Sequence, residues 1–169
     1  MKKYLLLILV MSMALGASAQ LRHVKGINAA EAGYGIGKYG YQIQVGFSRF
    51  LNQKSYVKAL LYQENTKLRS LSSLSYGMDV SYNYTLYKIK NVFYANAKGG
   101  AAFLIDKLKN DDTNDLKTFK YGILVGVELE YFISSRFQLV LGGNQKYLPQ
   151  GNNWGNVRYI FSSAIRVKI

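Results

Sequence analysis

The chain has 169 residues, enough for one domain, and a net charge of +13 from 22 basic against 9 acidic side chains. It has no cysteine, 15 tyrosines, 16 glycines and a single proline, which excludes a disulfide framework and favours β-structure of the membrane-embedded kind. The basic excess admits nucleic acid, anionic lipid or acidic glycan as partner classes, and beyond the first residues no apolar run reaches the length of a transmembrane helix.

Residues 1–19 read as a secretory leader. Lys2 and Lys3 precede the apolar run "YLLLILVMSMALG", and Ala17-Ser18-Ala19 fits the small-x-small pattern for cleavage. Gln20 is then the expected first mature residue, and residues 20–169 form the single folded domain. Export argues against a resident nucleic acid and leaves membrane lipid as the expected anionic partner.

A period-2 pattern then recurs in eight places, as strands require. The first (about 26–36) and third (about 56–64) are poor, and their facing stays open. The second sets Tyr39, Tyr41, Ile43, Val45 and Phe47 against Gln42, Gln44, Gly46 and Ser48. In the fourth, Tyr76, Met78, Val80, Tyr82, Tyr84 and Leu86 alternate with Gly77, Asp79, Ser81, Asn83 and Thr85. The fifth has Phe93, Ala95, Ala97, Ala101 and Phe103 against Tyr94, Asn96, Lys98 and Gly100. In the sixth, Phe119 to Tyr131 alternate with Lys120, Gly122, Leu124, Gly126, Glu128 and Glu130. The seventh sets Phe137, Leu139 and Leu141 against Gln138, Asn144 and Lys146. The last gives one face to Tyr159, Phe161, Ile165, Val167 and Ile169, and the other to Arg158, Ser162, Ala164, Arg166 and Lys168.

Strands of about 9–13 residues match the 9–11 tilted residues that cross a bilayer, and a sheet in lipid must close on itself. Short links near 51–55, 87–91 and 133–136 alternate with longer ones near 65–75, 106–118 and 148–156; only the link near 36–39 breaks the alternation. The predicted fold is therefore all-β: an eight-stranded antiparallel outer-membrane barrel with short periplasmic turns and longer outer loops. Two aromatic girdles are expected. One comprises Phe50, Tyr56, Tyr84, Tyr87, Phe93, Tyr94, Tyr131, Phe132 and Phe137; the other Tyr34, Tyr39, Tyr41, Tyr76, Phe103, Phe119, Tyr121, Tyr147, Trp154 and Tyr159. The competing fold is a soluble β-barrel or sandwich with the apolar face as its core. Its inward face would be too polar to pack.

In so narrow a barrel the inward side chains fill the lumen. Asp79, Lys98, Glu128, Glu130, Lys146, Arg158 and Arg166 are expected to form a structural charge network there, with Lys168 inward or at the periplasmic rim. Tyr159, Phe161, Ile165, Val167 and Ile169 are expected to face lipid. Glu128 and Glu130 could share a proton, although neighbouring cations are the commoner solution. A conducting pore is the alternative to a plugged lumen.

Chemistry beyond this is sparse. The single histidine, His23, precedes the first strand, so no Ser-His-acid set is expected in the barrel. With no cysteine and a single histidine, no zinc site is expected. "KNDDTND" (109–115) lacks calcium-loop spacing and reads as a solvated loop or a weak divalent contact with lipopolysaccharide. "GYGIGKYG" (33–40) reads as a tight hairpin rather than a phosphate loop. "TKLRSLSSL" (66–74) reads as an outer loop able to meet anionic headgroups. No cofactor and no enzymatic activity are expected.

The stretch "YFISSRFQLVLGGNQKYL" (131–148), followed by a Gly-rich loop and a terminal strand with Arg158 and Arg166, resembles the TraO family of conjugative transposons of Bacteroides and related bacteria. "KGINAAEAGYGIG" (25–37) is similar to that family's opening. The resemblance implies a structural, non-catalytic component of a conjugal-transfer apparatus, a type IV secretion-like complex, with other mating subunits as partners. A general small barrel for envelope stability or adhesion is the alternative, and a lipid-modifying enzyme of the outer membrane a further one.

Overall fold

Alternation at period 2 directs neighbouring side chains to opposite faces of a strand, and eight such strands form. A computed structural model describes residues 23–38, 40–68, 71–90, 92–110, 113–149 and 156–169. The leader with its cleavage pattern, Tyr39, Trp154, and parts of the 66–74 and 109–115 stretches lie outside these residues. The strands are β1 (Asn28–Gly37), β2 (Gly40–Phe50), β3 (Ser55–Leu68), β4 (Leu71–Ile89), β5 (Phe93–Asn110), β6 (Thr113–Phe132), β7 (Phe137–Tyr147) and β8 (Val157–Lys168). Each pairs antiparallel with the next, and β8 pairs antiparallel with β1, so the sheet is a closed barrel.

The outward face is a hydrocarbon-facing surface. Ile43, Val45, Leu61, Ile123, Val125, Val127, Leu141 and Phe161 all stand exposed on the outer wall, an arrangement that only lipid makes favourable. Closure leaves no strand edge unpaired in that environment. Tyr159, Phe161, Ile165 and Ile169 are exposed there too, with Val167 half-buried on the same face.

Three features differ from expectation. The predicted outer loops at 65–75 and 106–118 are largely strand: β3 pairs with β4 as far as Leu68↔Leu71, and β5 with β6 as far as Asn110↔Thr113. Strands of 18 to 20 residues result, longer than the predicted 9–13. These ends carry Ser72, Ser73, Ser75, Asp106 and Thr118, so no apolar alternation marks them, yet the ladder still satisfies their backbone groups. Only the link at 148–156 is long, whereas the β1–β2 hairpin closes tightly at Gly37↔Gly40.

Second, four of the predicted girdle aromatics point inward. Phe50, Tyr56, Tyr94 and Phe132 are 0–3% exposed, because strand parity places them opposite Arg49, Val57, Phe93 and Tyr131. The girdle at the short-turn end keeps Tyr84, Tyr87 and Phe137 exposed; the far girdle keeps Tyr34, Tyr41, Tyr76, Phe119, Tyr121, Tyr147 and Tyr159. Third, His23 is inside the barrel, as described below.

Close packing in the lumen depends on one glycine in particular. Gly77 lies opposite Tyr62 across the β3–β4 ladder, and a Cβ there would stand 2.2 Å from the Tyr62 ring. The bare backbone lets the ring lie flat against the wall, as cross-strand aromatics do over glycine.

Candidate functional site in the barrel lumen

The inward faces bring every described acidic side chain into the barrel, and each finds a cation. The site has three tiers. At the short-turn end, β1 supplies Glu31, β3 Tyr56 and Lys58, β5 Asn96 and Lys98, β6 Glu128 and Glu130, and β8 Arg166. Arg166 is fully buried and faces three carboxylates: Nε donates to Glu31 Oε2 at 2.8 Å, Nη1 to Glu130 Oε1 at 2.8 Å, and Nη2 to Glu128. Lys58 donates to Glu31 Oε1 at 3.1 Å and to Glu128, and Lys98 Nζ lies 3.6 Å from Glu128 Oε2. The Tyr56 hydroxyl stands 2.5 Å from Glu128 Oε1 and 2.8 Å from Glu130 Oε1, so its one proton bridges the two carboxylates. Asn96 Nδ2 donates to Glu130 at 2.9 Å. Three carboxylates thus meet three cations, and Glu128 and Glu130 are each ion-paired, not a dyad left to share a proton.

The middle tier is one pair inside an apolar belt. Lys146 Nζ sits 2.7 Å from Asp79 Oδ2 and 3.7 Å above the Tyr62 ring. Leu60, Ala102, Leu104, Leu124 and Leu148 pack with Tyr62 into one buried cluster. A charge in that belt is tolerable because it is paired and also faces a π-surface. In the far tier Asp106 accepts from Arg158 Nη2 at 2.9 Å and from the Ser75 hydroxyl at 2.5 Å, and lies 2.6 Å from Lys120 Nζ. Arg158 Nη1 donates to Glu64 at 3.0 Å. The cavity beside this tier, lined by Gly37, Glu64, Thr66 and Arg158, holds about 20 Å³, room for roughly one water.

All seven network residues expected from sequence are therefore buried in the lumen, although in three groups and not one. Sequence reasoning missed Glu31, Tyr56, Lys58, Glu64, Asp106, Lys120 and His23. The first four lie on the two strands whose facing stayed open, Asp106 on a stretch read as loop, and Lys120 on the polar face of the sixth strand but outside the expected network.

His23 corrects the largest expectation. It stands before β1 but does not stay outside. The chain turns at Gly26, whose φ is +84°, and Gly26 N donates to Phe50 O at 2.8 Å while Phe50 N donates to Ile27 O at 2.9 Å. This folds the lead-in under the barrel end. The imidazole, 1% exposed, has Nε2 2.7 Å from Glu130 Oε2. It stacks on Tyr94 at 4.2 Å and touches Phe50 at 4.7 Å between ring centroids. Phe132 and Tyr56 complete the wall. An aromatic plug closes the short-turn end, and His23 joins it to the first charge tier. A histidine beside a carboxylate is half of a catalytic set, but aromatic rings occupy the space a substrate would need. Lys168, expected inward or at the rim, lies at this plug with Nζ 4.9 Å from the Phe132 ring centroid.

Among the described residues no group of His, Asp and Glu has the makings of a metal site. No family model and no curated protein matches the chain. Solved structures do. Neisserial surface protein A (NspA) superposes with a TM-score of 0.66 at 16% identity, covering 85% of this chain and 96% of that one. The N-terminal barrel domain of Pseudomonas aeruginosa OprF gives 0.64 at 12% identity, with 86% and 98% covered. Ail, the attachment invasion locus protein of Yersinia pestis, gives 0.63 at 10% identity, with 86% and 100% covered. At such identities the likeness is one of architecture: the chain has the fold of the small eight-stranded outer-membrane barrels.

Proposed function

We propose that this protein is an exported, non-catalytic outer-membrane barrel that serves the envelope through its wall and its ends, in stability or adhesion, and does not conduct. The observation that carries this reading is the lumen: three tiers of ion pairs, an apolar belt and an aromatic plug fill it from end to end. A side-chain-filled interior is what an eight-stranded barrel affords. The cleaved leader and the short turns facing the periplasm belong to the same reading, and Ail, the attachment invasion locus protein, is one similar barrel. Purified chain inserted into planar lipid bilayers is expected to give no single-channel steps; regular ion-conducting steps would overturn the sealed lumen.

A finer reading rests on the resemblance of residues 131–169 and 25–37 to the TraO family. It makes the barrel a structural part of a conjugal-transfer apparatus, held to other mating subunits. Deletion in a donor strain is then expected to abolish transfer while envelope integrity is unchanged. Normal transfer, or lost integrity, returns the protein to the general envelope role.

A further inference from the structure

The pairing of all described acids inside the lumen has a consequence for the outside. Glu31, Glu64, Asp79, Asp106, Glu128 and Glu130 are each at most 6% exposed; Asp115 stands near the start of β6, away from the short turns, and Asp111 and Asp112 lie outside the described residues. The short-turn end therefore carries no exposed acidic side chain among the described residues, yet it is studded with cations. Lys25 stands on the lead-in, Lys54, Lys90 and Arg136 on the three turns, Arg49 on the outer wall just beside them, and Lys88 at the rim end of β4, across the ladder from Tyr94, all exposed. Every turn contributes, so the charge runs round the rim.

What such a rim meets is set by where it sits. The turns are three or four residues long and cannot lift their cations far from the wall. Exposed apolar residues flank each one: Leu51 near Arg49 and Lys54, Tyr87 and Ile89 around Lys88 and Lys90, Ile133 and Phe137 around Arg136. Apolar side chains dip into hydrocarbon while long cationic ones reach the headgroup layer just above. A polymer in the aqueous space would need cations on projecting loops instead.

We infer that this rim is a binding surface for anionic glycerophospholipid, recognised through its phosphate headgroup, in the leaflet that borders the short turns. Assignment to the phospholipid leaflet rests on the outer-membrane orientation proposed above; lipid selectivity itself does not. The test folds the full chain into phosphatidylcholine vesicles containing spin-labelled phosphatidylglycerol or spin-labelled phosphatidylcholine. Electron paramagnetic resonance reads the fraction of each label held at the protein surface. Phosphatidylglycerol is expected to be favoured about fivefold for each cation engaged, and added salt is expected to erase the preference. Combining Lys25→Gln, Arg49→Gln, Lys54→Gln, Lys88→Gln, Lys90→Gln and Arg136→Gln should abolish it, whereas Lys107→Gln at the far end should not. Equal retention of the two lipids by the native chain overturns the inference, and so does a preference that survives high salt or the combined substitution. Stronger retention of labelled lipid A, lost in the same variant, assigns the rim to the other leaflet and overturns it too. So does salt-sensitive co-sedimentation with cell-wall sacculi without lipid preference, which would make the partner a polymer.

Discussion

Arg166→Met is expected to destabilise the folded barrel by about 3–5 kcal/mol, the range for removing one partner from a buried ion pair. The guanidinium is fully buried and serves Glu31, Glu128 and Glu130 together. Methionine restores its volume, so the loss isolates charge from packing. Lys58 and Lys98 remain, while Glu130 is left with the hydrogen bonds of His23, Tyr56 and Asn96. The check is the urea midpoint of vesicle-folded protein, followed by the gel mobility shift between folded and unfolded barrels. Adding Glu128→Gln to Arg166→Met removes one surplus charge and should recover part of the loss. An unmoved midpoint in the single variant would mean that the tier is hydrated enough to need no counter-charge.

Val125→Arg carries the second largest expected effect and reports on the opposite face of the same strand. Val125 is exposed and lies between Tyr121 and Tyr131, the outward aromatics that mark the two interfaces on β6. Arginine at that depth should cost about 2–4 kcal/mol, whereas Phe119→Arg, at the girdle of the same strand, should cost only about 0–1 kcal/mol. The gradient along one strand, read in the same unfolding assay, separates lipid exposure from general intolerance of arginine. Equal costs at the two positions would contradict a membrane-embedded wall.

The outward face was legible in the sequence because there one rule applies at every second position. On β4 and β6 the apolar set from Tyr76 to Leu86 and from Phe119 to Tyr131 is unbroken, and both facings hold. The inward face obeys no such rule, since it accepts whatever fills and neutralises the lumen. β3 turns Tyr56, Leu60 and Tyr62 inward while Val57 and Leu61 face out, so both of its faces are oily and the alternation blurs. β1 has small residues on both sides, Ala29, Gly33 and Gly35 within and Ala30 and Ala32 without. Glu31, Lys58 and Glu64 were hidden for that reason, and with them a quarter of the charge network. His23 was beyond reach for another: its seat depends on Phe50, Tyr94 and Phe132, which only closure of the barrel brings together.

The pairing of Glu31 with Arg166 sits on the seam where β1 meets β8, directly across the ladder. These residues are 135 positions apart in the chain, and His23 and Glu130 are 107 apart. Contacts of such sequence separation are entropically late, so folding is expected to be slow and to finish at this seam. Until the last strand is in place the first has no second neighbour and Glu31 has no guanidinium. The half-made sheet in that interval presents an open edge and unpaired lumenal charge, the hallmarks of an aggregation-prone intermediate. The arrangement that makes the finished barrel so closed thereby makes its unfinished form dependent on being held apart from its own copies until β8 arrives.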